Sequence, residues 1–100
     1  MPNSILIVED EPSIADTLLY AMDMEGFRAE WCSTGELALN SLSSKVPDLI
    51  ILDVGLPDIN GFELFRKIRK NHSMPIIFLT ARSDEIDRVA GLEMGGDDYI

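Results

Sequence analysis

The sequence predicts an α/β fold: a doubly wound parallel sheet with strand order 2-1-3-4-5, strand five incomplete and helix five absent. Three observations point there. Ile5-Leu6-Ile7-Val8, Leu49-Ile50-Ile51-Leu52 and Ile76-Ile77-Phe78-Leu79 are unbroken apolar runs rich in β-branched residues, the pattern of strands covered on both faces. Segments carrying helical start and stop signals lie between them, and this alternation marks an α/β protein. Right-handed crossovers in such an order place strands one and three side by side, with strand four next to three.

The elements follow in turn. After the first run, Pro12 suits the first turn of a helix, and Ile14, Leu18, Ala21 and Met22 recur at helical spacing. Gly26 can end that helix in a left-handed cap, giving residues 12–25. Phe27, Ala29 and Trp31 alternate with Arg28, Glu30 and Cys32, which predicts a second strand with one wetter face, at an edge. Trp31, Met22 and Met24 read as packing residues. Ser33 with Glu36 three positions later predicts a capping box opening a second helix through Leu42. Asn60 with Glu63 repeats the arrangement ahead of Phe62, Phe65 and Ile68, in a third helix ending near Lys70. Ser83, Asp84 and Glu85 start a fourth helix through Ile86, Val89, Ala90 and Met94, stopped by Gly95 or Gly96. Tyr99 and Ile100 open a fifth strand, so residues 1–100 read as one domain cut short of its natural end.

Composition narrows the function. A 46% hydrophobic content over 100 residues suits one domain with one core. Lys and Arg number 8 against 18 Asp and Glu, a formal net charge of -10, so this chain would repel nucleic acid. The basic stretch Arg66, Lys67, Arg69 and Lys70 reads as a helix end complementing the helix dipole. No apolar run approaches the roughly 20 residues that span a bilayer, and no signal-like segment precedes Glu9. A cytoplasmic protein without membrane association is expected. Cys32 is the single cysteine; it excludes an internal disulfide and reads as a packed residue. His72 sits in a polar turn without neighbouring ligands and reads as solvated.

In an open α/β sheet, ligands collect beyond the carboxyl ends of the strands. There the sequence puts Glu9 and Asp10 after the first run, Asp53 after the third and Thr80 after the fourth. Acids at Glu9, Asp10 and Glu11 could simply favour the start of the first helix. An acid ending a buried strand is costly without a role, and three clustered carboxylates need a proton or a cation to relieve their repulsion. An all-oxygen site with room for waters and a phosphate suits Mg²⁺. A carboxylate beside such an ion is also a nucleophile towards phosphorus, and the Thr80 hydroxyl could donate to a phosphoryl oxygen. Gly55 would let the backbone turn its carbonyl to the metal, and Pro57 would stiffen the loop.

The stretches ILIVEDEP, PDLIILDVGLPDINGFE, PIIFLTAR and GGDDY resemble the response-regulator receiver domains of bacterial two-component signalling, of flavodoxin-like (CheY-like) fold. DVGLPDINGFEL and LTARSDEIDRVAGLEMGGDDY are most similar to the OmpR/PhoB subgroup, whose members usually carry a C-terminal winged-helix DNA-binding domain, and within it to the CreB-type regulators. The resemblance implies a switch that takes a phosphoryl group from a sensor histidine kinase, with Asp53 as phosphoacceptor. It implies that Glu9, Asp10, Asp53 and the Gly55 backbone carbonyl hold Mg²⁺. Thr80 matches the hydroxyl that moves toward the phosphoryl group, Ala81 its small neighbour, and Tyr99 the switch aromatic. It further implies a homodimer through the face of helix four, strand five and helix five, with Arg88 and Asp97 or Asp98 as candidates for inter-subunit ion pairs. The family's lysine is expected just past Ile100.

Two rivals differ in class. A dehalogenase-type phosphatase also places an Asp nucleophile after an apolar strand, but needs a second Asp two residues on as general acid, where this chain has Gly55. A receiver-like module that binds partners without phosphorylation shares the fold, and fold alone does not decide between them.

Overall fold

The computed structural model describes residues 3–79. Four parallel strands and three helices alternate through them: β1 (Ser4–Val8), α1 (Pro12–Met24), β2 (Arg28–Cys32), α2 (Gly35–Ser44), β3 (Leu49–Asp53), α3 (Gly61–Arg69) and β4 (Ile76–Leu79). The sheet runs β2-β1-β3-β4 with every pairing parallel, as expected for these strands. The expected fourth helix and fifth strand, with Thr80, Ala81, Arg88, Met94, Asp97, Asp98 and Tyr99, lie outside the described residues.

Side chains alternate across each strand, and the two faces bury different sets. On one face Leu6, Val8, Ile50, Leu52, Ile76 and Phe78 pack with Ala38 and Leu42 of α2 and with Phe62, Leu64, Phe65 and Ile68 of α3. On the other, Ile5, Ile7 and Ile51 meet Leu18, Leu19 and Met22 of α1. No residue of the three apolar runs is exposed, and all but Leu49, Ile77 and Leu79 are fully buried, which explains why they do not alternate in polarity. At roughly 1.5–3 kcal/mol per fully buried aliphatic side chain, they anchor the sheet.

Several details depart from the sequence reading. The inward line of α1 is Ala15, Leu18, Leu19 and Met22, whereas Ile14 and Met24 are exposed. The helical period fits either line, and contact with Ile5, Ile7 and Ile51 of the sheet selects the second. Trp31 is also exposed rather than packed, because β2 is the edge strand; its indole N–H donates to the Glu9 carbonyl at 2.6 Å. The second helix is capped by Thr34, whose Oγ1 accepts from Leu37 N at 3.1 Å, not by a Ser33–Glu36 box. A carboxylate from another loop takes the two N–H groups before Leu37, leaving no opening for the box. Finally, Gly26, at φ 87°, is the sole residue with positive φ among those described. It ends α1 as expected, but the turn at Gly55 does not require glycine's conformational freedom.

The third helix begins as predicted, with Asn60 Oδ1 accepting from Phe62 N at 2.8 Å. Glu63 pairs with Arg66 at 2.9 Å instead of closing the box, and Arg69 lies 5.0 Å from the centre of the Phe65 ring. The basic residues of α3 thus sit in its last turn, where the helix dipole favours them. Among the described residues no helix is long and apolar enough to cross a membrane.

Candidate metal and phosphoacceptor site

Strand register builds the site. Val8 of β1 stands opposite Leu52 of β3, so the next residues, Glu9 and Asp53, emerge side by side at the carboxyl edge of the sheet. Asp10 follows in the turn to α1. One carboxylate oxygen from each of Glu9, Asp10 and Asp53 lies within 4.8 Å of the others. Glu11 is the N-cap residue of α1 and no acid falls in the first turn of that helix, whereas Glu9 and Asp10 face Asp53 across the strand ends.

Glu9 is held on every side. Its N–H donates to the Cys32 carbonyl at 3.1 Å, its carbonyl accepts from Trp31 Nε1, and its Oε2 accepts from Glu11 N at 2.9 Å. Only 2% of its surface is exposed. Burial raises its carboxyl from an ordinary 4.5 to about 7; the Glu11 N–H opposes this, and the Asp53 charge and the Asp10 carboxyl add to it. Burial also raises the Asp53 carboxyl, against hydrogen bonds from the Gly55 and Val54 N–H groups and with the Asp10 charge adding to the rise. The cluster is therefore short of positive charge. An all-oxygen set whose ionised forms are disfavoured by burial and mutual repulsion fits a small hard cation.

The loop after β3 brings the remaining pieces. Gly55 is exposed, and a Cβ there would sit 3.9 Å from Asp53 Oδ2, an ordinary contact distance. Gly61 begins α3 against the same loop: its N–H donates to the Val54 carbonyl at 2.9 Å. A Cβ on Gly61 would come within 2.5 Å of the Asp53 carbonyl oxygen and 2.7 Å of Val54 Cα. Only glycine allows this approach. Sequence reasoning assigned Gly61 no task, since a contact between backbones leaves no local pattern.

Asp58 was also missed. Its Oδ1 accepts from Gly35 N at 2.9 Å and its Oδ2 from Glu36 N at 3.0 Å, and these two N–H groups hold its carboxyl below the ordinary range. The signal available in sequence was an acid beside Pro57 in a turn, which does not name a partner 23 positions away. Of the expected site residues, the structure brings Glu9, Asp10 and Asp53 together, with Gly55 two residues past Asp53. Thr80 and Tyr99 lie outside the described residues.

Comparison with known proteins agrees with this arrangement. The sequence matches the response regulator receiver domain over residues 5–100. It is 52% identical over 98 residues to the transcriptional regulatory protein CreB of Escherichia coli strain K12, covering 97% of this chain and 43% of that protein. Identity to the transcriptional regulatory protein AfsQ1 of Streptomyces coelicolor is 47% over 97 residues, with coverage of 97% and 43%. The chain thus spans less than half the length of these relatives. Among solved structures, the response regulator TrrA of Thermotoga maritima, crystallised with Mg²⁺ and beryllofluoride, superposes with a TM-score of 0.88 at 35% identity, covering 98% of this chain and 84% of that one. On sequence, strand order and the acidic edge of its sheet, this chain belongs to the response regulator receiver domain family.

Proposed function

We propose that the protein is a phosphorylation-activated switch of a two-component system, in which Asp53 accepts a phosphoryl group from a sensor histidine kinase. One observation carries the reading: three carboxylates from adjoining strand ends converge within 4.8 Å, in surroundings that oppose their ionisation. Glu9, Asp10, Asp53 and the Gly55 carbonyl would hold Mg²⁺. Bound there, the ion would neutralise charge developing on the phosphoryl oxygens.

The step asks little of the chain beyond placement. An Asp53 oxygen attacks phosphorus, the bond from phosphorus to the donor's imidazole nitrogen breaks, and that nitrogen leaves with the electron pair. The product is an acyl phosphate on Asp53. The Gly55 and Val54 N–H groups already engage the Asp53 carboxylate and orient it for attack. Glu9 and Asp10 keep the site acidic until a cation enters, which makes phosphorylation depend on the metal. The chain assists its own phosphorylation and dephosphorylation in this way without being an enzyme that turns over a separate substrate.

The wider reading follows the relatives. CreB and AfsQ1 are transcriptional regulatory proteins, so the proposed output is transcription, through a part of the protein other than these residues. The net charge of -10 supports a receiver that does not itself touch nucleic acid. We assign the protein to the cytoplasm, Thr80 and Tyr99 to the response that follows phosphorylation, and the face of helix four, strand five and helix five to homodimerisation.

The test is intact-protein mass after incubation of the full-length protein with acetyl phosphate and Mg²⁺. A single phosphoryl adduct is expected, lost in Asp53→Ala and in the presence of a chelator. An adduct that survives Asp53→Ala, or none on the parent, refutes the assignment.

A further inference from the structure

The loop joining β3 to α3, residues 54–60, is tied to two helices at once. At its far end Asn60 caps α3. Two residues earlier Asp58 reaches the opposite way, and its two oxygens accept from Gly35 N at 2.9 Å and Glu36 N at 3.0 Å. Those N–H groups open α2 and have no partner within the helix, so a carboxylate there is favoured both by hydrogen bonding and by the helix dipole. The join is also close-packed: a Cβ on Gly35 would collide with the Ile59 side chain, so a larger residue at 35 would force that side chain to shift. Thr34 meanwhile caps α2 by itself through Leu37 N. The contacts from Asp58 therefore fasten the loop as well as the helix.

We propose that Asp58 is a positioning residue for the metal site: by fastening the β3–α3 loop to the start of α2, it holds Asp53 and the Gly55 carbonyl where an ion needs them. This rests on the metal-assisted reading above. Untied, the loop must be ordered when the ion binds, and that ordering is subtracted from affinity. Residues that orient metal ligands commonly change affinity tenfold or more when removed.

The test is Mg²⁺ titration of the full-length protein at pH 8 by calorimetry, comparing the parent with Asp58→Ala, Asp58→Asn and Thr34→Ala. Thr34→Ala removes the other cap of the same helix without touching the loop, so it reports what loss of helix stability alone does. We expect affinity to fall about tenfold in Asp58→Ala and about threefold in Asp58→Asn, which keeps one acceptor oxygen. Thr34→Ala should stay within about twofold of the parent, as a change remote from the ligands. Equal affinities in Asp58→Ala and Thr34→Ala overturn the proposal while leaving the metal reading intact. If Asp58→Ala does not fold, Asp58→Asn is compared with Thr34→Ala, and equality again overturns it. A parent that binds no Mg²⁺ overturns both readings.

Discussion

Lowering the pH from 8 to 6 should weaken Mg²⁺ binding about tenfold. The magnitude comes from Glu9, whose carboxyl is raised to about 7 by burial and by the neighbouring acids. A cation competes with that proton. At pH 8 about nine-tenths of Glu9 is ionised before the ion arrives, and at pH 6 only about one-tenth, so most binding events at pH 6 must first expel a proton. An ordinary glutamate titrating at 4.5 would be ionised at both pH values and would change affinity by only about a few per cent. The Asp53 carboxyl is raised in the same direction, so it does not oppose this trend. Trp31 is the chain's single tryptophan, and its indole N–H donates to the Glu9 carbonyl. Its fluorescence therefore serves as a local reporter, with calorimetry as an independent measure. Dissociation constants that agree within twofold at pH 6 and pH 8 would refute the reasoning, as would an unchanged slope in Glu9→Gln, where the profile should flatten.

The same group makes metal-free stability depend on pH. Because the folded carboxyl of Glu9 lies above its unfolded value, its contribution is fully present below pH 4.5 and is lost as pH rises through about 7. A loss of ~3 kcal/mol across that window is expected from Glu9, read by urea unfolding in chelator, and Mg²⁺ should restore stability at the alkaline end. Asp53→Asn removes one repelling charge and should stabilise the metal-free protein at pH 8 by on the order of 1 kcal/mol, while abolishing the phosphoryl adduct. Gly61→Ala forces a methyl group into the Asp53–Val54 backbone and should cost about 3 kcal/mol by urea unfolding, at the upper end for an overpacked site because backbone rather than a flexible side chain must yield. Asn60→Ala should cost about 1 kcal/mol through loss of the α3 cap.

What could be read in the sequence was what neighbours along the chain decide. The three apolar runs became β1, β3 and β4 because four consecutive apolar residues leave few alternatives to a strand covered on both faces. Asn60 and Gly26 did the local work expected of them, at a helix start and a helix end. Strand order followed from the doubly wound fold with right-handed crossovers, and with it the meeting of Glu9, Asp10 and Asp53. What could not be read depends on segments far apart. Asp58 displaces the Ser33–Glu36 box through a contact 23 positions away along the chain; Gly61 matters because of a backbone it approaches; Ile14 faces outward because the sheet takes up Leu18, Leu19 and Met22 of the same helix. Trp31 lies on an edge strand, where alternation alone does not say which side chains become covered.

The anchoring of Glu9 has one more consequence. Its N–H, its carbonyl and one carboxylate oxygen are each committed to a separate partner, Cys32, Trp31 and Glu11. Such a residue cannot retreat, so one wall of the site has a fixed radius. Ca²⁺ takes six to eight oxygens at roughly 2.3–2.6 Å, whereas Mg²⁺ takes six at roughly 2.0–2.1 Å. A wall that cannot move outward would favour the smaller ion. Were an ion bound there, the three tethers of Glu9 would bear on its size, two of them running to strand β2, which supplies no carboxylate to the cluster.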